Sequence, residues 1–155
     1  MAPGLPKVLG SRHRRASAAP SGSLPTGHEG WTMDSDADIM AALEGLAAAF
    51  NAHDIDGVMS FFAPDCSLDM PRGPEPHGTR FQGTAQVKKG LMGRFESTPD
   101  VHYSDLEHFV SGTCGMSKWL FTGTKLTGEK VRVRGCDFYT FRNGQVIRKD
   151  SYWKI

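Results

Sequence analysis

Two carboxylates and a lysine, Asp137, Asp150 and Lys118, stand at spacings that strand pairing can bring together on one sheet surface. Asn143-Gly144 is a strong two-residue hairpin signal. With these as the central residues, Arg142 pairs with Gln145, Phe141 faces Val146, Tyr139 faces Arg148 and Asp137 faces Asp150. Thr127-Gly128 is a weaker signal of the same kind, and centring a hairpin there sets Leu126 opposite Glu129 and Lys118 opposite Asp137. The same surface then carries Met116, Leu120, Val131, Val133, Tyr139, Phe141 and Tyr152, so the ionisable row has an apolar setting. Two carboxylates in contact there cannot both ionise easily, and one is expected to have a raised pKa. A carboxyl kept partly protonated near neutral pH can donate a proton or a hydrogen bond to a substrate oxygen, the need of an isomerase, cyclase or hydratase. A cross-strand salt-bridge ladder on a solvated face is the alternative that pattern alone leaves open.

Other candidates read as structural. His53, Asp54 and Asp56 sit at an interhelical turn, the two acids as caps for a following helix. His77 lies in a loop, and His102 and His108 are too far apart along one strand to hold one ion. Neither a metal nor a cofactor is expected, since no Gly-rich phosphate loop, nucleophile elbow or dinucleotide fingerprint is present. Cys66, Cys114 and Cys136 are odd in number and lack metal-ligand spacing, which fits reduced thiols and a cytoplasmic location. Lys and Arg number 18 against 17 Asp and Glu, so bulk charge gives no reason to expect nucleic acid or an anionic membrane as partner. No apolar run is long enough to span a bilayer.

The elements that must position these residues fill 34–155 as one α+β domain. Ile39, Met40, Leu43, Leu46, Ala47 and Phe50 recur at helical spacing behind the capping residues Asp34 to Asp36. A second short helix is expected from Ile55 to Phe62, halted by Pro64, and a third from Thr84 to Phe95. A short strand over 66–69 and a loop from Met70 to Gly83 lie between them. Four strands are expected near 101–111, 114–126, 130–141 and 146–154. Residues 1–33, rich in Pro, Gly, Ser and Ala, are expected to be a disordered tail, with Met33 as the better start of the folded unit; a targeting segment is the alternative.

The run from Leu46 to Asp65, followed by Pro71 and Gly73-Pro74-Glu75-Pro76, resembles the helix hairpin and first loop of ketosteroid isomerase. Phe81-Gln82-Gly83-Thr84-Ala85 and the stretch from Asp137 to Val146 resemble elements of SnoaL-like polyketide cyclases, within the nuclear transport factor 2-like superfamily. The resemblance implies a cone: three helices in the N-terminal half on a curved, mainly antiparallel sheet enclosing a pocket. Asp137 matches the isomerase's oxyanion-hole acid and lies near the cyclases' acid/base. Met70 stands where the isomerase has its base and Leu46 where it has its oxyanion-hole tyrosine. Asp69 adjoins the base position but is the weaker candidate, because neighbouring strand residues point to opposite faces.

With Asp137 inside, the expected catalytic set is Asp137, Asp150 and Lys118. Tyr139, Arg148, Tyr152, Met70, Leu46 and Leu120 are expected to contact substrate. The other face, with Trp119, Phe121, Cys136, Phe138, Ile147 and Trp153 beside Arg132, Arg134 and Lys149, is expected to meet a second copy in a homodimer. The function implied is a cofactor-free acid/base isomerase, cyclase or hydratase acting on a hydrophobic, oxygenated small molecule. The alternative is a non-catalytic ligand-binding or assembly module of the same fold.

Overall fold

Ser35 accepts a hydrogen bond from the Asp38 amide, and Asp38 reaches back to Ser35, a capping box that starts α1 (Asp36–Asn51). The computed structural model describes residues 34–155, so the expected tail over 1–33 lies outside the described residues. Ile39, Leu43, Leu46 and Phe50 form the buried stripe of α1. Asp54 caps α2 (Ile55–Met59) by accepting from the Gly57 amide at 2.9 Å. α2 is shorter than expected, because the chain turns extended before Pro64 and enters β1 (Phe62–Asp69). Pro64 is tolerated there because the ladder of β1 is irregular between Phe62 and Ser67, where a missing amide costs little. The expected loop contains β2 (Arg80–Gln82), paired with β1, before α3 (Thr84–Ser97).

The remaining strands, β3 (His102–Ser111), β4 (Cys114–Thr124), β5 (Lys130–Arg142) and β6 (Gln145–Trp153), fall within two residues of their expected bounds. The six strands form one unclosed sheet in the order β2-β1-β6-β5-β4-β3, antiparallel except for the β1–β6 pair. The main core joins the α1 stripe and Val87 and Leu91 of α3 to Leu68, Tyr139, Phe141 and Val146 on the inner sheet face. A second cluster holds Val101, Trp119 and Phe121, with Trp153 against it.

Register decides which side chains face inward. Asn143 and Gly144 have φ of 52° and 75°, and Arg142 faces Gln145 and Phe141 faces Val146, as the dipeptide predicts. The next residue, Thr140, pairs with Arg148, which leaves Ile147 without a partner as a β-bulge. Beyond it every pairing of β6 shifts by one: Tyr139 faces Lys149 and Asp137 faces Ser151 on the inner side, and Phe138 faces Asp150 on the outer. The β4–β5 turn is also one residue longer than expected. The Lys125 amide donates to the Glu129 carbonyl and the Gly128 amide to the Lys125 carbonyl, both at 2.9 Å, with Gly128 at φ 85°. Ser117 therefore faces Asp137, and Lys118 faces Cys136. The observed register packs Trp153 edge-on to Trp119 at 5.9 Å and against Phe121 at 5.1 Å, half-buried, whereas the regular ladder would turn its indole outward.

Candidate active site

Asp137 and Tyr139 of β5, Lys149, Ser151 and Trp153 of β6, and Ser117 and Trp119 of β4 alternate onto the inner face and line one cavity. Leu43, Ala47 and Phe50 of α1, Leu91 and Arg94 of α3, and Met70 complete its wall. The cavity encloses about 30 Å³, room for a water or two. Asp137 is only 6% exposed. Its Oδ1 faces Lys149 Nζ at 2.5 Å and accepts from Ser151 Oγ at 2.6 Å; its Oδ2 accepts from Trp119 Nε1 at 3.0 Å and from the Tyr139 hydroxyl at 3.5 Å. Lys149 also donates to Ser151 Oγ at 2.8 Å and lies 5.4 Å from the Tyr139 ring.

A buried ion pair is tolerated only when its remaining polar atoms are satisfied, and among the described residues no buried side-chain polar atom lacks a partner. Burial pushes the Lys149 ammonium below the usual lysine range, against the opposing pull of Asp137. Burial, with Asp137 next in size, pushes the Tyr139 phenol well above its ordinary range, so it stays a proton donor. Ser117 Oγ meets His108 Nδ1 at 2.8 Å, and burial holds that imidazole below the usual histidine range. Among the described residues, no three His, Cys, Asp or Glu side chains converge to hold a metal ion.

Of the residues expected at the site, Asp137, Tyr139 and Met70 line the cavity together. The expected row of Asp137, Asp150 and Lys118 does not form, because the bulge at Ile147 and the longer β4–β5 turn each reverse one strand's alternation. Lys118 pairs instead with Glu107 at 2.7 Å on the outer face, where Leu120 also lies. Arg148, Asp150 and Tyr152 are outside too: Arg148 donates to Asp69 at 2.9 Å and to Asp150 at 3.0 Å, and the Tyr152 hydroxyl donates to Asp150 at 3.3 Å. Asp69, fully buried beneath these groups, also accepts from Arg80 at 2.6 and 2.8 Å, which holds its carboxyl below the usual range. Leu46 packs in the core and does not line the cavity. Trp119, Phe121, Trp153 and Lys149, expected outside, face inward.

Sequence reasoning missed Lys149, Ser151, Trp119 and Arg94. One signal was present: Val146 and Trp153 are both apolar but of opposite parity, so both can face inward only if an odd residue is inserted between them.

The cavity opens toward a wider groove of about 730 Å³ at the β4–β5 end of the sheet, and Met70, Arg94 and Trp153 line both. The Arg94 guanidinium lies 4.4 Å from the Trp153 ring and 5.6 Å from that of Phe121.

Solved structures share this architecture. A candidate polyketide cyclase of Xanthomonas campestris pv. campestris is 22% identical with a TM-score of 0.69, over 77% of this chain and 92% of that one. TerC, co-crystallised with polyporic acid, is 21% identical with a TM-score of 0.66, over 76% and 92%. A candidate isomerase from Bacillus subtilis is 16% identical with a TM-score of 0.66, over 76% and 87%. At these identities the likeness is one of fold. The sequence family described as the SnoaL-like domain matches residues 43–149, and with the cone and its lined interior this makes the chain a member of that family, whose fold is a small-molecule-binding one.

Proposed function

We propose that the chain is an enzyme performing cofactor-free acid/base chemistry, such as cyclisation, isomerisation or hydration, on a hydrophobic, oxygenated small molecule. The observation that carries this reading is the Asp137–Lys149 pair, buried at 2.5 Å in a mostly apolar cavity and ringed by hydroxyl and indole donors. Tyr139 is the loosest donor to Asp137, at 3.5 Å, and is the group that turns to a substrate carbonyl oxygen. Asp137 Oδ2, so released, accepts the proton from the carbon beside that carbonyl while Tyr139 and Lys149 hold the developing enolate. Return of the proton to another carbon completes an isomerisation; attack of the enolate carbon on a second carbonyl of the same molecule closes a ring, and the alkoxide so formed takes the proton back from Asp137. Substrate reaches the pair between Arg94, Met70 and Trp153 when the flexible Met70 side chain moves aside, since the resting cavity holds only about 30 Å³. The likeness to TerC, co-crystallised with an organic acid, supports a small-molecule ligand.

A panel of hydrophobic ketones and polyphenols, screened for thermal stabilisation and then for product by mass spectrometry, identifies the substrate. Asp137→Asn is expected to keep its circular dichroism spectrum, to lose about 3–5 kcal/mol of stability at most as Lys149 loses its counterion, and to abolish turnover. Undiminished turnover in that variant ends the enzyme reading. The second reading, a non-catalytic ligand-binding or assembly module, is favoured by one observation: the small interior in which all Asp137 contacts are already satisfied. It requires that stabilising ligands emerge chemically unchanged.

A homodimer through the outer sheet face belongs to the same proposal, supported by Phe138 and Tyr152, 48% and 54% exposed and edge-to-face at 5.7 Å. A cytoplasmic location is proposed from the three free thiols, Cys66, Cys114 and Cys136.

A further inference from the structure

The groove beyond Arg94 has a charge character that the chain as a whole lacks. Formal net charge is only +1, yet Arg72, Arg94, Lys125, Lys130 and Arg132 line this groove against a single acidic side chain, Glu129, with the chain-terminal Ile155 also in its lining. Glu129 is already committed to Lys125 at 2.7 Å. Among the described residues, Arg72, Arg94, Lys130 and Arg132 take part in no salt bridge. Beneath these cations lies an apolar floor that includes Phe121, Leu126, Val131 and Val133. At about 730 Å³ the groove has the size of a small-molecule site, whereas the inner cavity does not. A neutral molecule would use the floor and leave the cations to water. A molecule that joins an aromatic skeleton to an anion uses both, and an open guanidinium is suited to bind a carboxylate with two parallel hydrogen bonds. Arg94 stands where groove and cavity meet, held by its stacking on Trp153, so an anion bound to it lies at the threshold of the Asp137–Lys149 pair.

We infer that the substrate is an aromatic anion, held in the groove by its anionic group on Arg94 and by its ring on the apolar floor. This rests on the reading of the chain as a small-molecule enzyme, and Arg94 acts in it as a positioning and specificity residue. The test uses 2-naphthoate and its neutral counterpart 2-naphthalenemethanol, titrated into the full chain and followed by tryptophan fluorescence and calorimetry. The carboxylate is expected to bind about tenfold tighter than the alcohol at low salt, with the preference shrinking as salt screens it. Arg94→Gln is expected to bring the two Kd values within about twofold while leaving the alcohol's own Kd unchanged. Arg72→Gln, on an exposed loop residue, is expected to lower the preference in part and provides a second reading should Arg94→Gln fail to fold. Equal binding of acid and alcohol, no binding of naphthoate, or a preference that survives both substitutions overturns the inference. Loss of the acid preference with Asp137-dependent turnover intact would remove the groove's role alone; Asp137-independent turnover with the preference intact would remove the catalytic reading alone.

Discussion

Asp137 and Lys149 neutralise each other inside a wall of rings and aliphatic side chains, and each is costly without its partner. Because burial lowers the Lys149 pKa in the fold, the folded chain releases that proton before the unfolded chain does, at the ordinary lysine value of 10.5. Between the two values the unfolded state binds more protons, so this group makes stability rise with pH; below the lowered value its contribution is constant. The melting temperature of the wild type minus that of Lys149→Met is therefore expected to grow as pH is raised through that window. A flat difference as pH approaches 10.5 from below would contradict a desolvated ammonium. The same titration is expected in turnover as an alkaline limb falling below pH 10.5, and Lys149→Arg, which stays charged, is expected to lack it in a pH–rate profile.

At the scale of elements, Gly135 on β5 is the point at which the sheet admits the Trp119 indole. A Cβ there would collide with the Trp119 ring and the Tyr152 carbonyl. Gly135→Ala is expected to cost about 1–3 kcal/mol and to alter tryptophan fluorescence, since the indole that donates to Asp137 must shift. Chemical denaturation measures the first effect, and an unchanged midpoint would rule out the close fit. The helices were legible from Ile39, Leu43, Leu46 and Phe50, and the four long strands from alternation, because periodic burial leaves a periodic trace. Asp137, Tyr139 and Met70 were likewise legible as cavity residues. Their companions were not, because face assignment across a hairpin depends on counting every residue from the turn. One unpaired residue at Ile147 and one more in the 126–128 loop were enough to exchange Lys149 and Ser151 for Arg148 and Asp150, and Ser117 for Lys118. The parallel pairing of β1 with β6, which joins Arg148 to Asp69, has no local signature, since it links residues far apart in the chain.

At the scale of the whole molecule, the sheet has an inner face closed by helices and an outer face on which Phe138 and Tyr152 remain about half exposed. Burial of those rings against a second copy is the expected use of that surface. Light scattering is expected to give twice the 16.9 kDa chain mass for the wild type and the single mass for Phe138→Glu, with the inner cavity and any turnover retained. A wild-type mass of 16.9 kDa at micromolar concentration would remove the dimer. The bulge on β6 extends beyond this one molecule. The strand stores two alternative side-chain sets, Lys149-Ser151-Trp153 and Arg148-Asp150-Tyr152, and the spare position at Ile147 selects which one meets the ligand. A ladder that took Ile147 in opposite Thr140 would turn Arg148, Asp150 and Tyr152 inward, whereas loss of that residue would remove the bulge and keep Lys149, Ser151 and Trp153 inside, so the chemistry a relative carries depends on where along this hairpin a residue is gained or lost.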